Sequence, residues 1–304
     1  MNIRDLQYVV AVADEGHFGR AAVKCHISQP ALSGQILKLE EYLGVTLFER
    51  TNRSVQITQI GEQIVEQARR LLVLSNEIVA SARAAKDPFS GHFRLGMIST
   101  IGPYLSPLIL PAIRKEMPDL SLTLVEGFTT DLEKRVADGG LDGAILATVP
   151  GSRYFKDISL YFEPFRIALP RGHRFSKKKS IDVSELAHDE LLLLADGHCL
   201  RDQMLDVCHA STASTNVNTR ETSLETLLAL VASGDGVTLV PALVRPEGGD
   251  HDCAVVMRRE ATQSTGRTVR LICRETFPQS ELLSRLASIV RNSVSKTDVK
   301  ILNG

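Results

Sequence analysis

The segment of residues 18–50, FGRAAVKCHISQPALSGQILKLEEYLGVTLFER, constrains the fold of this chain more than any other. Apolar residues recur at helical spacing over residues 18–25, and a second helical stripe follows the short connection His26-Ile27. Ser28 is a good N-cap for the second helix, and Pro30 suits its first turn. Because two short helices are joined by so tight a turn, the segment predicts a helix-turn-helix.

Three further elements flank the helix-turn-helix. Asn2 can cap a helix that runs through Val12. Residues 47–58, LFERTNRSVQIT, alternate around an Asn-Arg-Ser turn and predict a hairpin wing. From Thr58 to Ala85, apolar residues recur at spacings of three and four, which is typical of a long helix with a coiled-coil-like seam. A seam of this length favours dimerisation.

From His92 the chain alternates short apolar strands with helical stretches. The runs HFRLGMI, LSLTLVE and DGAILAT are typical of strands, with helices after Pro103 and Thr130, and this βαβαβ order predicts a parallel sheet. A second set of elements follows, with strands near residues 165–169, 190–194 and 236–241, helices near 199–208 and 222–233, and a last strand and helix near 269–273 and after 280.

These patterns predict an α/β fold with an all-α N-terminal part. The expected domains are a winged helix-turn-helix in residues 1–58, a linker and dimerisation helix in 59–88, and a regulatory domain in 89–304. The regulatory domain divides into lobe I, residues 89–161 and 268–304, and lobe II, residues 162–267, with two segments that cross between the lobes.

The composition is that of a globular protein with more than one domain. Its 304 residues exceed the usual single core, 43% are hydrophobic and the formal net charge is −1. The first apolar run spans only six residues, so we expect a cytoplasmic protein without membrane association. Five cysteines do not indicate a secreted disulfide framework, and in a reducing compartment a paired cysteine is more often transient or catalytic.

A helix-turn-helix binds double-stranded DNA by placing the N-terminal residues of its second helix toward the bases. The candidate contacts are Ser28, Gln29, Pro30, Ser33, Gln35, Lys38, Arg50 and Arg53. Glutamine can pair with adenine, serine can reach base or phosphate, and the three cations would hold the backbone. The first sixty residues carry six basic and six acidic side chains, so patch geometry must supply the affinity. The alternative is a small helical packing module with solvated charges.

Two cysteines, Cys199 and Cys208, stand in the run DGHCLRDQMLDVC. Helix would separate their Cα atoms by about 13.5 Å, whereas a disulfide tolerates about 4.4–6.8 Å, so bonding them requires remodelling. Asp196 and Asp202 also flank Cys199, while His198 and Arg201 could favour its thiolate, which is the form that attacks a peroxide. The resulting sulfenic acid would condense with Cys208.

Competing interpretations of the cysteines are packing and metal binding. A lone cytosolic cysteine is usually a small buried apolar residue, and we expect this of Cys25, Cys253 and Cys273. The pairs His198-Cys199 and Cys208-His209 match no common zinc spacing, so no metal and no cofactor are expected.

Threonines follow the first two strands of the α/β part. Thr100 and Thr129 would lie at the carboxyl ends of neighbouring strands, where ligands gather and where helix N-termini point. Gly102 belongs to the same turn as Thr100. The alternative role is helix capping, which a capping box between Thr130 and Glu133 would satisfy without a ligand.

The chain resembles the LysR-type transcriptional regulators over essentially its whole length. The resemblance rests on the helix-turn-helix run above, on the linker helix and on a two-lobed, periplasmic-binding-protein-like effector domain. Within the family, the stretches GPYLSP, ELLLLADGHCLRDQ, TSLETL and GDGVTLVPAL are similar to those of its peroxide-sensing members. Asn218 stands where relatives can carry histidine, and Gly266-Arg267 takes the place of a doubled arginine.

The resemblance implies a function that composition and spacing do not show. Cys199 would be the thiol that reacts with hydrogen peroxide, Cys208 its resolving partner, and Thr100 and Thr129 would help to hold the peroxide. A homodimer or homotetramer would contact promoter DNA, recruit RNA polymerase on oxidation and be reset by a thiol reductant. Two rival functions stay open, a LysR-type regulator of a small cleft-bound metabolite and a thiol peroxidase, although we expect no enzyme.

Overall fold

The computed structural model describes residues 1–50, 55–186, 189–210, 216–220, 223–244, 254–262 and 264–302. Arg53 and Cys253, which the sequence singles out, lie outside these residues, as do the side chains of Arg50, His209 and Asn218. Internal contacts divide the chain into two compact units, Met1–Ala85 and Lys86–Gly304. Each unit has its own hydrophobic core.

The first unit contains the predicted helix-turn-helix. Asn2 caps the first helix through a capping box with Asp5, and the helix continues to Glu15, three residues past the predicted end. Ser28 accepts a hydrogen bond from the backbone N–H of Ala31 and so caps the recognition helix. The elements of this unit are α1 (Ile3–Glu15), α2 (Phe18–Lys24), α3 (Gln29–Leu43), β1 (Phe48–Arg50), β2 (Val55–Ile57) and α4 (Gln59–Ala84).

The core of the first unit packs one face of α3 against α1, α2 and the wing. Leu32, Ile36 and Leu39 lie at helical spacing on α3 and are buried. Residues on the opposite face remain accessible, as expected of an amphipathic helix. The long helix α4 leaves Leu71, Leu74, Ile78 and Val79 exposed within this unit.

Replacing Leu32 with alanine tests how this core supports the helix-turn-helix. Because Leu32 is fully buried, we expect the free energy of unfolding of the first unit to fall by about 3 kcal/mol. Leu37→Ala is the matched control, because Leu37 lies on the same helix but is 49% exposed. Chemical denaturation followed by circular dichroism measures both changes, and equal losses would contradict the assignment of the buried face.

The second unit begins with the predicted βαβαβ order. Strand β3 (Gly91–Ile98) pairs in parallel with β4 (Leu120–Gly127) and with β5 (Gly143–Leu146). Helices α5 (Gly102–Glu116) and α6 (Thr129–Ala137) connect these strands. The parallel pairing agrees with the prediction, and it places the carboxyl ends of neighbouring strands at one edge of the sheet.

One strand, β6 (Phe155–Pro170), runs across residue 162, the predicted boundary between lobes I and II. The predicted strand at 165–169 is therefore too short. As far as Pro164, β6 pairs with β12 (Gly266–Arg274), and beyond that point it pairs with β10 (Thr238–Pro241) and β11 (Val255–Glu260). The remaining elements are β7 (Ser180–Ile181), β8 (Glu190–Leu194), α7 (Cys199–Ala210), β9 (Asn216–Arg220), α8 (Leu224–Ser233), α9 (Ser280–Val294) and β13 (Lys300–Ile301).

Two clusters of buried side chains make up the core of the second unit. One contains Phe93, Met97 and Tyr161 with residues of α9, and the other contains Phe165, Leu193 and Leu227. A hydrogen bond of 2.8 Å from the Tyr104 hydroxyl on α5 to Glu225 on α8 joins an element of each cluster. The site described next lies where these two clusters meet.

Candidate functional site

Cys199 is the first residue of α7, and its thiol is largely buried against the core of lobe I. Burial raises the pKa of the Cys199 thiol above its ordinary value. The charge of Arg267, the nearby Thr129 hydroxyl and the backbone N–H of Leu200 act in the opposite direction and lower this pKa. The arrangement offers a buried sulfur several groups that stabilise its thiolate.

Arg267, whose charge acts on the Cys199 thiol, is bonded to Thr100. Its guanidinium donates to the Thr100 hydroxyl and to the Thr100 carbonyl oxygen, each at 2.9 Å. It also forms an ion pair with Glu163 at 2.9 Å, in which both side chains are 1% exposed. Glu163 in turn accepts from the backbone N–H of Leu243 at 2.8 Å. Since these bonds engage every nitrogen of the guanidinium, its position in the site is well fixed.

Thr129 is the first residue of α6, and its buried hydroxyl faces Cys199. The hydroxyl does not make a full hydrogen bond to the sulfur, and it has no other hydrogen-bond partner among the described residues. A buried hydroxyl without a partner is costly, because its water contacts are lost and not replaced. The Thr129 hydroxyl is thus available to a small polar ligand next to the sulfur.

The structure corrects the predicted source of thiolate stabilisation. His198 contacts the Phe128 ring edge on, with centroids 4.9 Å apart, and burial lowers its pKa, so it is a neutral neighbour at physiological pH. Arg201 pairs with Asp196 at 3.2 Å and with Asp202 at 3.7 Å. The carboxylate of Asp202 raises the pKa of Cys199, so it opposes ionisation. Neither His198 nor Arg201 is among the groups that lower the pKa of Cys199, and burial is the largest influence on that pKa.

Cys208 lies on the same helix but in the other core cluster. It is 2% exposed among the side chains of lobe II, and burial raises its pKa to about 11. Both residues carry thiols here. Nine helical steps between them correspond to about 13.5 Å, so α7 as it stands cannot hold the disulfide.

The turn at the N-terminus of α6 also differs from the sequence expectation. The helix begins at Thr129 with Phe128 as its N-cap, and no side chain caps it. The predicted capping box between Thr130 and Glu133 is therefore wrong. The hydroxyl of Thr129 does not cap α6 either, and it faces Cys199.

Two glycines shape the surroundings of the site. Gly102 opens α5, where a Cβ atom would lie 2.7 Å from the Glu126 carboxylate. At Gly266 a Cβ atom would lie 2.4 Å from the Glu163 carbonyl oxygen and 2.6 Å from the Phe162 ring. No side chain fits there without rearrangement, and the next residue, Arg267, is the arginine that contacts Thr100.

Three further residues at the site carried no assigned role in the sequence analysis. Arg267 and Glu163 are partners across 104 residues, and no local pattern links them. Gln203 on α7 donates to the carbonyl oxygen of Ala147 at 2.7 Å, which ties the helix to lobe I. In the sequence, only the spacing of four residues between Cys199 and Gln203 indicated that the two side chains share a helix face.

The candidate DNA contacts lie at the accessible N-terminal end and face of α3. The exposed candidates are Ser28, Gln29, Pro30, Gln35 and Lys38, and Ser33 is half-buried.

Two of the cysteines that were predicted to be packing residues lie among the described residues. Cys273 is buried in the core of lobe I, and Cys25 packs partly against the core of the first unit.

Among the described residues, no group of three or more His, Cys, Asp or Glu side chains is placed to hold a metal ion. No helix within the same residues is long and apolar enough to cross a membrane.

Comparisons with known proteins bear on both units. Residues 3–62 match the bacterial regulatory helix-turn-helix protein family, lysR type, and residues 86–295 match the LysR substrate binding domain. The hydrogen peroxide-inducible genes activator of Pectobacterium carotovorum subsp. carotovorum is 42% identical, over 96% of either chain.

Solved structures give the same result. Full-length OxyR C199D from Pseudomonas aeruginosa has a TM-score of 0.79 and 36% identity, and covers 96% of this chain and 95% of its own. A mutant of Corynebacterium glutamicum OxyR with bound H2O2 has a TM-score of 0.65 and 32% identity, over 97% of this chain and 93% of its own. The chain therefore belongs to the LysR family of bacterial regulators and, within that family, to the OxyR proteins.

Proposed function

We propose that this chain is a transcriptional regulator that hydrogen peroxide switches by oxidising Cys199 to a disulfide with Cys208. The observation that carries the proposal is the placement of the Cys199 sulfur at a helix N-terminus beside Thr129 and Arg267. The identity with a hydrogen peroxide-inducible genes activator and the likeness to an OxyR with bound H2O2 support it.

The first step joins the Cys199 sulfur to one oxygen of the peroxide. The thiolate attacks that oxygen, the O–O bond breaks, and hydroxide leaves and takes up a proton to become water. Peroxide is reduced and the sulfur becomes a sulfenic acid. Arg267 favours the anionic sulfur, while the hydroxyls of Thr100 and Thr129 are placed to hold the peroxide. Gly102 and His198 would border this pocket, while Asp202, which pairs with Arg201, would oppose ionisation of the Cys199 thiol.

The second step forms the disulfide. The Cys208 sulfur attacks the sulfenic sulfur, the S–O bond breaks, and a second water forms. The roles are not interchangeable, because Cys208 lies in an apolar core whose burial raises its pKa to about 11. Cys199 is the nucleophile and Cys208 resolves.

The signal arises from the helix between the two sulfurs. Since α7 holds Cys199 against one lobe and Cys208 within the other, the bond requires α7 to lose its helical path. Gln203 would then release or reposition its contact with Ala147. A local bond thereby changes how the two lobes pack.

The two rival functions predict different chemistry. A metabolite-responsive regulator has no use for a thiolate-stabilising guanidinium beside a helix N-terminal cysteine. A thiol peroxidase needs repeated turnover, whereas a resolving thiol buried as deeply as Cys208 favours a slow single cycle. We therefore favour a regulator over an enzyme.

The test compares reduced and peroxide-treated full-length protein by disulfide mapping and DNA footprinting. Low-micromolar, near-stoichiometric peroxide is expected to give the Cys199–Cys208 bond and an altered footprint. The Cys208→Ser variant is expected to stop at the sulfenic acid, which dimedone traps. If no disulfide forms, the proposal fails and the metabolite-responsive regulator is favoured. Sustained turnover of peroxide with a thioredoxin-type donor would instead favour the thiol peroxidase.

DNA binding is assigned to α3 of the first unit. Gln29, Ser33 and Gln35 would reach base edges, while Lys38 and Arg50 would contact phosphates. A DNA-reading protein acts where the chromosome is, so the proposed location is the cytoplasm. The exposed apolar residues of α4 favour a homodimer or homotetramer. RNA polymerase and a thiol reductant complete the proposed partners.

Lys38→Ala tests the phosphate assignment. Because Lys38 is exposed on α3, its loss is expected to weaken binding of many sequences alike and to reduce the salt dependence by about one counterion, a change in slope of about 0.9. Fluorescence anisotropy over a salt series measures the slope. Gln35→Ala is the comparison, with a sequence-selective loss and an unchanged slope. A selective loss for Lys38→Ala would assign this side chain to base readout.

A further inference from the structure

A cavity lies in the second unit of the chain, separate from the thiol site. Its volume is about 600 Å³, and β6, β11, β12 and the C-terminal segment around β13 line it. None of the residues that surround Cys199 borders it. The volume falls within the range of small-molecule sites in proteins.

Two arginines face each other across strands at the wall of this cavity. Arg166 on β6 and Arg259 on β11 are directly opposite in the antiparallel register. The side chain of Arg166 is only 4% exposed, and that of Arg259 is 40% exposed. Like charges directly opposite each other on paired strands are destabilising, so this pair requires an anion.

The chain supplies one carboxylate to both arginines. Asp298, which is 42% exposed, pairs with Arg166 and lies 3.6 Å from Arg259. The other lining carboxylate, Glu260, accepts hydrogen bonds from the backbone and side chain of Thr262 and from Thr265. With Lys300 at the rim, the lining has three cations and two carboxylates, which leaves one positive charge in excess.

The rest of the lining is apolar or carries hydroxyl groups. Phe162, Pro164, Phe165, Val299 and Leu302 form an apolar wall, and Thr268 and Thr297 add hydroxyls. A guanidinium pair matches the planar fork of a carboxylate, and the apolar wall matches a hydrocarbon body. Inorganic phosphate would satisfy the charge but leave that wall without a contact.

We propose that this cavity binds a small organic monocarboxylate, whose carboxylate lies between Arg166 and Arg259 and whose apolar body packs on the wall beside Phe165. Asp298 occupies the same position from within the chain and therefore competes with the ligand. The proposal concerns only this cavity and does not depend on the chemistry of Cys199.

The test uses calorimetric titration of the reduced full-length chain at fixed ionic strength with three probes. Hexanoate has the charge and the apolar body, phosphate has only the charge, and 1-hexanol has only the apolar chain. Saturable binding is expected for hexanoate and not for the other two. Absence of hexanoate binding in both the original chain and Asp298→Asn, or equal binding of phosphate, would overturn the proposal.

Two variants with opposite expected effects on hexanoate affinity test whether the ligand binds in this cavity. Asp298→Asn removes the internal competitor and is expected to tighten hexanoate binding by about tenfold, or about 1.4 kcal/mol. Arg259→Gln, at a half-exposed position, is expected to weaken it by at least about tenfold. Arg270→Gln, at an arginine that pairs with Asp157 outside the cavity, is the matched control and should change nothing. If Arg259→Gln binds hexanoate as well as the original chain, the ligand lies elsewhere and the assignment fails.

Discussion

Replacing Cys199 with serine is expected to abolish the peroxide response while sparing DNA binding. The serine hydroxyl does not ionise at physiological pH and forms no sulfenic acid, so neither the first step nor the disulfide can occur. The loss should be complete rather than graded, because Cys208 lies in an apolar core with a pKa of about 11 and cannot act in its place. A promoter-reporter assay with added peroxide measures the response, and footprinting of the purified variant measures DNA binding.

Cys273→Ala is the matched control for this experiment. Cys273 is buried in the same unit and its pKa is also raised to about 11, but it lies in strand β12 away from Thr129. This variant should keep the full response. Activation of the reporter by peroxide in Cys199→Ser would show that another group senses the oxidant.

Replacing Arg267 with glutamine is expected to slow oxidation of Cys199 by about 10- to 100-fold at neutral pH. Arg267 is the strongest influence that opposes the effect of burial on the Cys199 pKa, and each unit of pKa is a factor of ten in ionisation. Because the pKa of Cys199 is already raised, its rate of oxidation rises with pH as the thiolate fraction grows. In Arg267→Gln the rise should move to higher pH. Quenched alkylation with mass spectrometry gives the rate at each pH.

The buried partner of Arg267 requires a second variant. Removing the guanidinium alone leaves Glu163 as an uncompensated buried charge, which costs about 3–5 kcal/mol. The double variant Glu163→Gln/Arg267→Gln removes both charges and should recover much of that stability while it keeps the slow rate. A pH profile in the double variant that matches the original chain would reduce Arg267 to a purely structural role.

Local signals in the sequence predicted most of the helices and some of the strands. The capping roles of Asn2 and Ser28 depend on bonds that span three residues, and the structure shows both. Parallel pairing in lobe I followed from the βαβαβ order. The long strand β6 was missed because polar residues such as Asp157 and Glu163 interrupt its apolar pattern. Glu163 is nevertheless buried, because its charge is paired with that of Arg267.

The site was only half predictable. Cys199, Thr100 and Thr129 could be singled out from their positions, but the bonds from Arg267 to Thr100 span 167 residues, and no pattern in one sequence records such a pair. His198 and Arg201 were chosen because they are sequence neighbours of Cys199. In a helix, residues two positions apart do not share a face, and Arg201 accordingly turns to Asp196 and Asp202.

The helical path of α7 also sets the redox potential of the proposed switch. Unwinding α7 and withdrawing Cys208 from its core cost free energy. This cost lowers the stability of the disulfide. For a two-electron couple, each 1.4 kcal/mol of that cost raises the reduction potential by about 30 mV. A well-packed helix therefore makes the oxidised state easier for cellular thiols to reduce. The packing that slows disulfide formation by Cys208 therefore also shortens the time for which the protein stays oxidised after the peroxide has gone.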